Sequence, residues 1–259
     1  MTEAQAILAH VEGGVLTLTF NRLDKKNAIT TAMYTSLADA LVEAATDSAV
    51  RAVVIQGHEQ IFTAGNDLAD FKNNPPSTDG DKPVPVFRFL DALRTFPKPV
   101  VAAVSGPAVG IGTTLLLHCD LVYAGDNAAF SLPFVNLGLC PEAGASLLLP
   151  ALVGYPRAAE KLLLGEAFYA EEAVDMGLVN RILPPHEVAG YAQAQAAKLA
   201  AKPAESLRIT KALMKQAHTG LPALMQQEFK HFGELLRGPA AKEAISAVME
   251  KRRPDFSKL

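Results

Sequence analysis

Apolar and polar positions alternate at the start of the chain and then change period, and the change predicts the first elements. Leu16, Leu18 and Phe20 alternate with Thr17 and Thr19. With the apolar stretch 7–11 across Gly13-Gly14, this reads as a β-hairpin with one buried face. From Thr30 the period becomes helical: Met33, Leu37, Leu41 and Ala44 share one stripe, and Thr30 or Thr31 is the capping candidate. Residues 52–55 read as a short buried strand ended by Gly57, and 86–96 as an amphipathic helix. The run 100–104, led in by Pro97 and Pro99, bends through Gly106, Gly110 and Gly112 and resumes at Leu115-Leu116-Leu117. That is a buried strand, a tight bend and the first turns of a helix. Strands are expected at 121–124, 129–131 and 179–183, with an apolar helix over 146–152. From His186 onward only helical patterns follow, over 186–201, 203–218, 221–236 and 239–251. Strands interleaved with helices argue an α/β fold, and residues 73–83, rich in Asn, Asp, Pro and Gly, argue a loop.

A backbone bent sharply at a helix start leaves N–H groups free, and such groups attract negative charge. The 106–114 bend has this form. So does Phe62-Thr63-Ala64-Gly65-Asn66-Asp67-Leu68, where Asp67 by itself is explained as an N-cap. Neither bend is a phosphate loop, since the Walker spacing and G-x-G-x-x-G are both missing. Nor is 100–117 a membrane span, because Gly106-Pro107 breaks it and Asp120 closes it without basic flanks.

The 259 residues suffice for a substantial core, and a net charge of −3 excludes strong attraction to nucleic acid or membrane surfaces. Cys119 and Cys140 fit neither a zinc site nor a secreted disulfide framework, and the first residues lack a signal-peptide pattern, so a cytoplasmic protein is expected. The six histidines are scattered and no G-x-S-x-G elbow occurs, which leaves metal catalysis and serine hydrolysis without support. What remains is two bends, near Asn66 and Ile111, and one acid in apolar company, Glu142. Two convergent backbone amides suit a thioester carbonyl that becomes an enolate. A buried glutamate beside Leu139, Cys140, Pro141 and Ala143 suits a general base, while the plain alternative is a first-turn acid favoured by the helix dipole.

The chain resembles the crotonase (enoyl-CoA hydratase/isomerase) superfamily over essentially its whole length. The resemblance is carried by Lys25-Lys26-Asn27-Ala28-Ile29, the 62–68 segment, 106–112, Cys119-Asp120, 173–179 and Glu250-Lys251-Arg252-Arg253-Pro254-Asp255-Phe256. It implies a spiral core of ββα units, set at residues 1–195, and a C-terminal helical oligomerisation region, 196–259, that builds trimers often paired as hexamers. It implies an acyl-CoA ligand whose thioester oxygen is held by the amides of Asn66 and Ile111. Ala28, Ala64, Asp67 and Leu68 would line the CoA path, with Lys25 or Lys26 near its phosphates. Phe232 and Lys251 match ligand-contacting residues, in the same or a neighbouring subunit. No metal and no separate cofactor is expected, since CoA is part of the substrate.

The departures from the family pattern bear on the reaction. Hydratases carry glutamates where this chain has Thr114 and Phe134, so water activation from both sides is not expected. Residues 132–144 are instead similar to the peroxisomal type of Δ3,Δ2-enoyl-CoA isomerase, whose single catalytic glutamate matches Glu142. The resemblance therefore implies an isomerase, with another crotonase reaction or a non-catalytic acyl-CoA-binding protein as the alternatives.

Overall fold

A computed structural model describes residues 6–73 and 84–257. The hairpin forms as expected: β1 (Ile7–Glu12) pairs antiparallel with β2 (Val15–Phe20). Gly13 and Gly14 between them both take positive φ, 56° and 80°, as the tightest hairpin turns require. α1 (Thr31–Thr46) is capped by Thr30, whose side chain accepts the Met33 N–H, and it buries Met33, Leu37, Leu41 and Ala44. β3 (Ala52–Gln56), α2 (Leu68–Asn73), α3 (Pro85–Thr95) and β4 (Val100–Val104) follow. Apart from Asn73, which ends α2, the loop expected over 73–83 lies outside the described residues.

Beyond β4 the chain does not enter a helix at once. It forms a three-residue strand, β5 (Pro107–Val109), then a single turn of helix, α4 (Ile111–Thr114), which continues as a 3-10 turn through His118. Gly106 makes the corner: its φ is 65°, and a Cβ there would lie 2.0 Å from the Gln60 carbonyl oxygen. The remaining elements are β6 (Leu121–Gly125), β7 (Ala129–Ser131), α5 (Ala145–Val153), α6 (Tyr155–Ala159), β8 (Phe168–Tyr169), α7 (Ala170–Asp175), β9 (Arg181–Leu183), α8 (Pro185–Ala200), α9 (Ala204–Lys215), α10 (Leu221–Arg237) and α11 (Pro239–Met249).

From β4 onward the chain passes back and forth between two sheets. A six-stranded sheet has the order β1-β2-β3-β4-β6-β9, parallel except for the hairpin, and a three-stranded sheet has the order β5-β7-β8. The chain thus climbs as a spiral of ββα units, which is the crotonase fold, with helices at its C-terminal end. The central strands β3, β4 and β6 are buried on both faces, which explains their nearly unbroken apolar runs. Val53 and Ile55 face the main core, while Ala52 and Val54, with Val101, Ala103 and Tyr123, pack against Val188, Ala192, Ala196 and Ala200 of α8. α8 therefore passes the boundary expected at residue 195 without a break, and as an element it belongs with the sheet.

The later helices are fastened to the core by polar contacts as well as apolar ones. Lys211 on α9 is buried, and its Nζ lies 2.7 Å from Asp120 Oδ2 and 2.7 Å from the Lys98 carbonyl oxygen. Asp120 in turn accepts the Val100 N–H at 2.7 Å, so one carboxylate joins α9 to the first residue of β4. Breaking such a pair from one side strands the other charge. Lys211→Ala is expected to cost about 3 kcal/mol of stability in urea unfolding; a loss under about 1 kcal/mol would mean that this pair does not hold α9 in place.

Candidate active site

Two backbone segments set the geometry. Residues 62–66 run beside β5 in parallel: Thr63 bridges Ala108, the Phe62 and Thr63 N–H groups donate to the Pro107 carbonyl at 3.2 and 3.0 Å, and Val109 N–H donates to Thr63 at 3.0 Å. Three residues beyond each partner stand Asn66 and Ile111, one on each of the two neighbouring segments. Gly65 permits this approach, since a Cβ there would lie 2.7 Å from the Val109 carbonyl oxygen. Ile111 opens α4, where the first N–H has no partner within the helix. Neither amide donates to another group among the described residues. Two aligned donors of this kind suit an oxygen on which negative charge develops.

Both residues line a groove of about 870 Å³. Lys25, Ala28, Ala64, Asp67, Leu68 and Phe232 line it too. Lys26 does not; its role is in the backbone, where its φ of 53° turns the chain and its carbonyl accepts the Ala64 N–H at 3.0 Å. Lys251 stands exposed just past α11 and is not on the groove wall of this chain. Asp67 both caps α2, accepting from Ala69 and Asp70, and pairs with Arg22 at 2.7 Å. Burial pushes its carboxyl up, but the guanidinium and the two N–H groups outweigh burial and hold it below the usual range. Asn27, buried with a φ of 54°, ties the same loop to the site: its side chain donates to the Phe62 carbonyl at 3.1 Å and accepts the Arg22 N–H at 2.8 Å.

Glu142 reaches the site from the loop before α5. Its carboxylate is buried: Oε1 accepts the Thr114 hydroxyl, and Oε2 has no hydrogen-bond partner among the described residues. Burial pushes this carboxyl up to about 8; the Thr114 hydroxyl pulls the other way, and the Glu228 carboxylate adds to the rise. A second, tight cavity lies at Glu142, walled by Phe71, Leu90, Met225, Phe229 and Phe232. Asn66, Phe71 and Phe232 border both this cavity and the groove, so the two adjoin at these residues.

The loop carrying Glu142 is strained. Ala143 and Gly144 are both left-handed, at φ 59° and 73°, and an L-residue such as Ala143 in that conformation costs roughly 1–2 kcal/mol. His118 helps to hold it, its Nε2 lying 2.7 Å from the Ala143 carbonyl oxygen. Burial lowers the His118 pKa to about 4, so the ring is neutral and donates its Nε2–H.

Four residues here were not singled out as site residues by the chain pattern: Tyr34, Thr114 as a donor, His118 and Glu228. Tyr34 donates its hydroxyl to Asn66 Oδ1, and burial, then the Glu142 and Asp70 charges, raise its pKa so that it remains a phenol. The one signal for Tyr34 was a hydroxyl on the buried side of α1, which needs a partner. Among the described residues no three His, Cys, Asp or Glu side chains stand together as metal ligands, and no helix is long and apolar enough to cross a membrane.

A spiral two-sheet fold with free amides on a groove and a buried carboxylate in the cavity that adjoins it defines an enzyme-like small-molecule site. The chain belongs to the enoyl-CoA hydratase/isomerase family, whose profile matches residues 10–258. It is 35% identical over 257 residues to 1,2-epoxyphenylacetyl-CoA isomerase of Escherichia coli (strain K12), covering 97% of this chain and 98% of that one. It is 41% identical over 217 residues to enoyl-CoA delta isomerase 2 of Rattus norvegicus, covering 83% of this chain but 55% of the relative. Among solved structures, that of Pseudomonas aeruginosa OdaA superposes with a TM-score of 0.91 at 48% identity, covering 95% of this chain and 99% of that one. The protein is thus an acyl-CoA-processing enzyme of the crotonase family.

The raised Glu142 pKa has a consequence for stability. The folded state holds this proton more tightly than the unfolded chain, so the gain is fully present below about 4.5 and is lost as pH rises toward about 8. The loss runs at roughly 1.4 kcal/mol per pH unit across that window. Glu142→Gln, which cannot ionise, is expected to match the native protein in urea unfolding at pH 4 and to exceed it by a few kcal/mol at pH 8. Equal stability at both pH values would show that the native carboxyl is not held up.

Proposed function

We propose that this chain is a Δ3,Δ2-enoyl-CoA isomerase that works with Glu142 as its single acid–base. The observation that carries the reading is the placement of one buried carboxylate, with a free oxygen, in the cavity that adjoins the Asn66 and Ile111 amides. The thioester oxygen of a 3-enoyl-CoA accepts from those two amides, Glu142 takes a proton from the α carbon, and the negative charge spreads onto the thioester oxygen as a dienolate. Glu142 then returns the proton to the γ carbon, leaving the conjugated 2-enoyl-CoA. A carboxyl titrating near 8 serves both halves, as a strong base when ionised and a ready acid once protonated.

The lack of a second carboxylate at Thr114 and Phe134 supports isomerisation over hydration. Thr114 supports the base instead, and buried Phe134 keeps that wall of the groove apolar. The similarity to enoyl-CoA delta isomerase 2 supports this direction. On this reading the CoA chain runs along Ala28, Ala64, Asp67 and Leu68, with Lys25 or Lys26 toward its phosphates. CoA enters as part of the substrate, and the reaction as written needs no further cofactor. The working form is a homotrimer, single or paired, in the cytoplasm. Leu213 and Met214 on α9, 60% and 65% exposed, are apolar surface that a neighbouring subunit would cover, and Lys251 would act on a neighbour's groove.

Glu142→Gln is expected to lower 3-enoyl-CoA isomerisation, followed by the gain of conjugated-thioester absorbance, by about 10³-fold while acyl-CoA binding persists. Near-native turnover in the variant would overturn the assignment. So would a native protein that consumes 2-enoyl-CoA by hydration without isomerising 3-enoyl-CoA, or one that binds both thioesters and turns over neither.

A further inference from the structure

Glu228 belongs to α10, yet its carboxylate is directed at the loop that carries Glu142. It is 6% exposed. Its Oε2 accepts the Gly144 N–H at 2.6 Å, and its Oε1 accepts the Ser146 N–H at 3.1 Å and the Ser146 hydroxyl. Leu221, at the start of the same helix, closes on this loop as well: a Cβ on Gly144 would lie 2.2 Å from Leu221 Cδ1. α10 therefore grips the left-handed turn from one side while His118 holds the Ala143 carbonyl from the other.

The contacts favour a charged Glu228. The two backbone N–H groups can only donate, and donors stabilise a carboxylate over a carboxylic acid. Burial opposes them and raises its proton affinity, and no cation helps to hold the charge among the described residues. If the turn needed only an acceptor, a neutral amide oxygen would serve without the cost of a buried charge. What the charge adds is a field on the base a short way along the same loop, where two carboxylates resist being ionised together.

We propose that Glu228 is a positioning residue for Glu142, fixing the loop that carries the base and setting the field in which that base gives and takes its proton. The proposal rests on Glu142 being the acid–base of the reaction. Repulsion from Glu228 makes Glu142 the better proton acceptor at the α carbon and keeps the proton on it until delivery to the γ carbon. The other titratable groups around the pair leave this role to Glu228. Tyr34 on α1 is a buried phenol, His118 after α4 is neutral, and the Cys140 thiol, pushed up to about 11 by burial and the two carboxylates, is uncharged. His231 and Glu234, further along α10, are exposed and pair with each other at 3.3 Å.

The test is Glu228→Gln, which keeps the shape and removes the charge. The Glu142 carboxyl is followed by its infrared absorption in ligand-free protein, assigned by its loss in Glu142→Gln. Its titration midpoint is expected to fall by about one pH unit in Glu228→Gln, and the acidic limb of kcat/KM for 3-enoyl-CoA to move with it. A folded Glu228→Gln with reduced turnover but an unmoved midpoint would overturn the proposal, because a purely structural clamp changes rate without changing the field. Should Glu228→Gln fail to fold, Ser146→Ala at an exposed position removes one of the donors that favour a charged Glu228 and is expected to move the midpoint the same way by a smaller amount; no movement there overturns the proposal too. A shifted midpoint in a protein that does not isomerise 3-enoyl-CoA would leave the role of Glu228 standing and remove the proposed reaction instead.

Discussion

The approach of two backbones at Gly65 and Val109 governs the site. A side chain on residue 65 would collide with the Val109 carbonyl, so glycine there decides whether residues 62–66 and β5 can lie in register. With the register set, Asn66 ends one segment and Ile111 follows the other after the Gly110 bend, and both line the same groove. The surrounding polar groups maintain that register. Asn27 holds the Phe62 carbonyl, the Thr63 hydroxyl donates to the Asn27 carbonyl at 2.7 Å, and Arg22 ties Asp67 to the Ala28 carbonyl. The Lys25 to Ile29 motif is therefore as much a brace for the two amides as a wall of the groove.

The alternation of the fold between two sheets serves the same end. β4 lies in the large sheet and β5 in the small one, with the Gly106 corner between them, so the chain leaves the buried sheet just before it is needed beside residue 63. This corner also explains what the sequence pattern could and could not convey. The hairpin, α1, β3 and the C-terminal helices have enough residues for a period to be visible, and each was legible within a residue or two. β5 and β8, at three and two residues, carry no period, and they merge into the neighbouring turn signals. α6 and α7 are similarly short and sit among apolar residues that read equally well as loop.

Legibility of the site divides along the same line between local and distant. The two bends and Glu142 were readable because each depends on residues adjacent in the chain: a glycine before a helix start, or an acid among apolar neighbours. The partners that tune them lie 25 to 84 residues away, and a single sequence holds no record of those pairings. Thr114 shows the difference well. Read along the chain it is the place where an acid is missing, whereas in the fold its hydroxyl is, among the described residues, the one donor to Glu142. Asp67 shows the converse, since its local explanation as a cap and its place on the groove wall are both present in one side chain.

A one-carboxylate site has to solve a problem that a two-carboxylate site shares between its members. On the proposed reaction, the same group must be basic enough to take a proton from carbon and must then let it go to another carbon without losing it to water. Burying Glu142 meets both needs, because an apolar cavity raises its proton affinity and excludes water together. The same burial leaves Oε2 without a partner and sets the base on a strained turn, so the site works against the stability of the fold around it. The compensation is visible in where the neighbouring polar groups point. Thr114 moderates the carboxylate with a single hydrogen bond, while His118 and Glu228 place their hydrogen bonds on residues 143, 144 and 146 of the loop rather than on the carboxylate. Further donors placed directly on Glu142 would have steadied it more simply, but they would also have pulled its pKa down toward that of an ordinary surface glutamate and removed its capacity to deprotonate carbon.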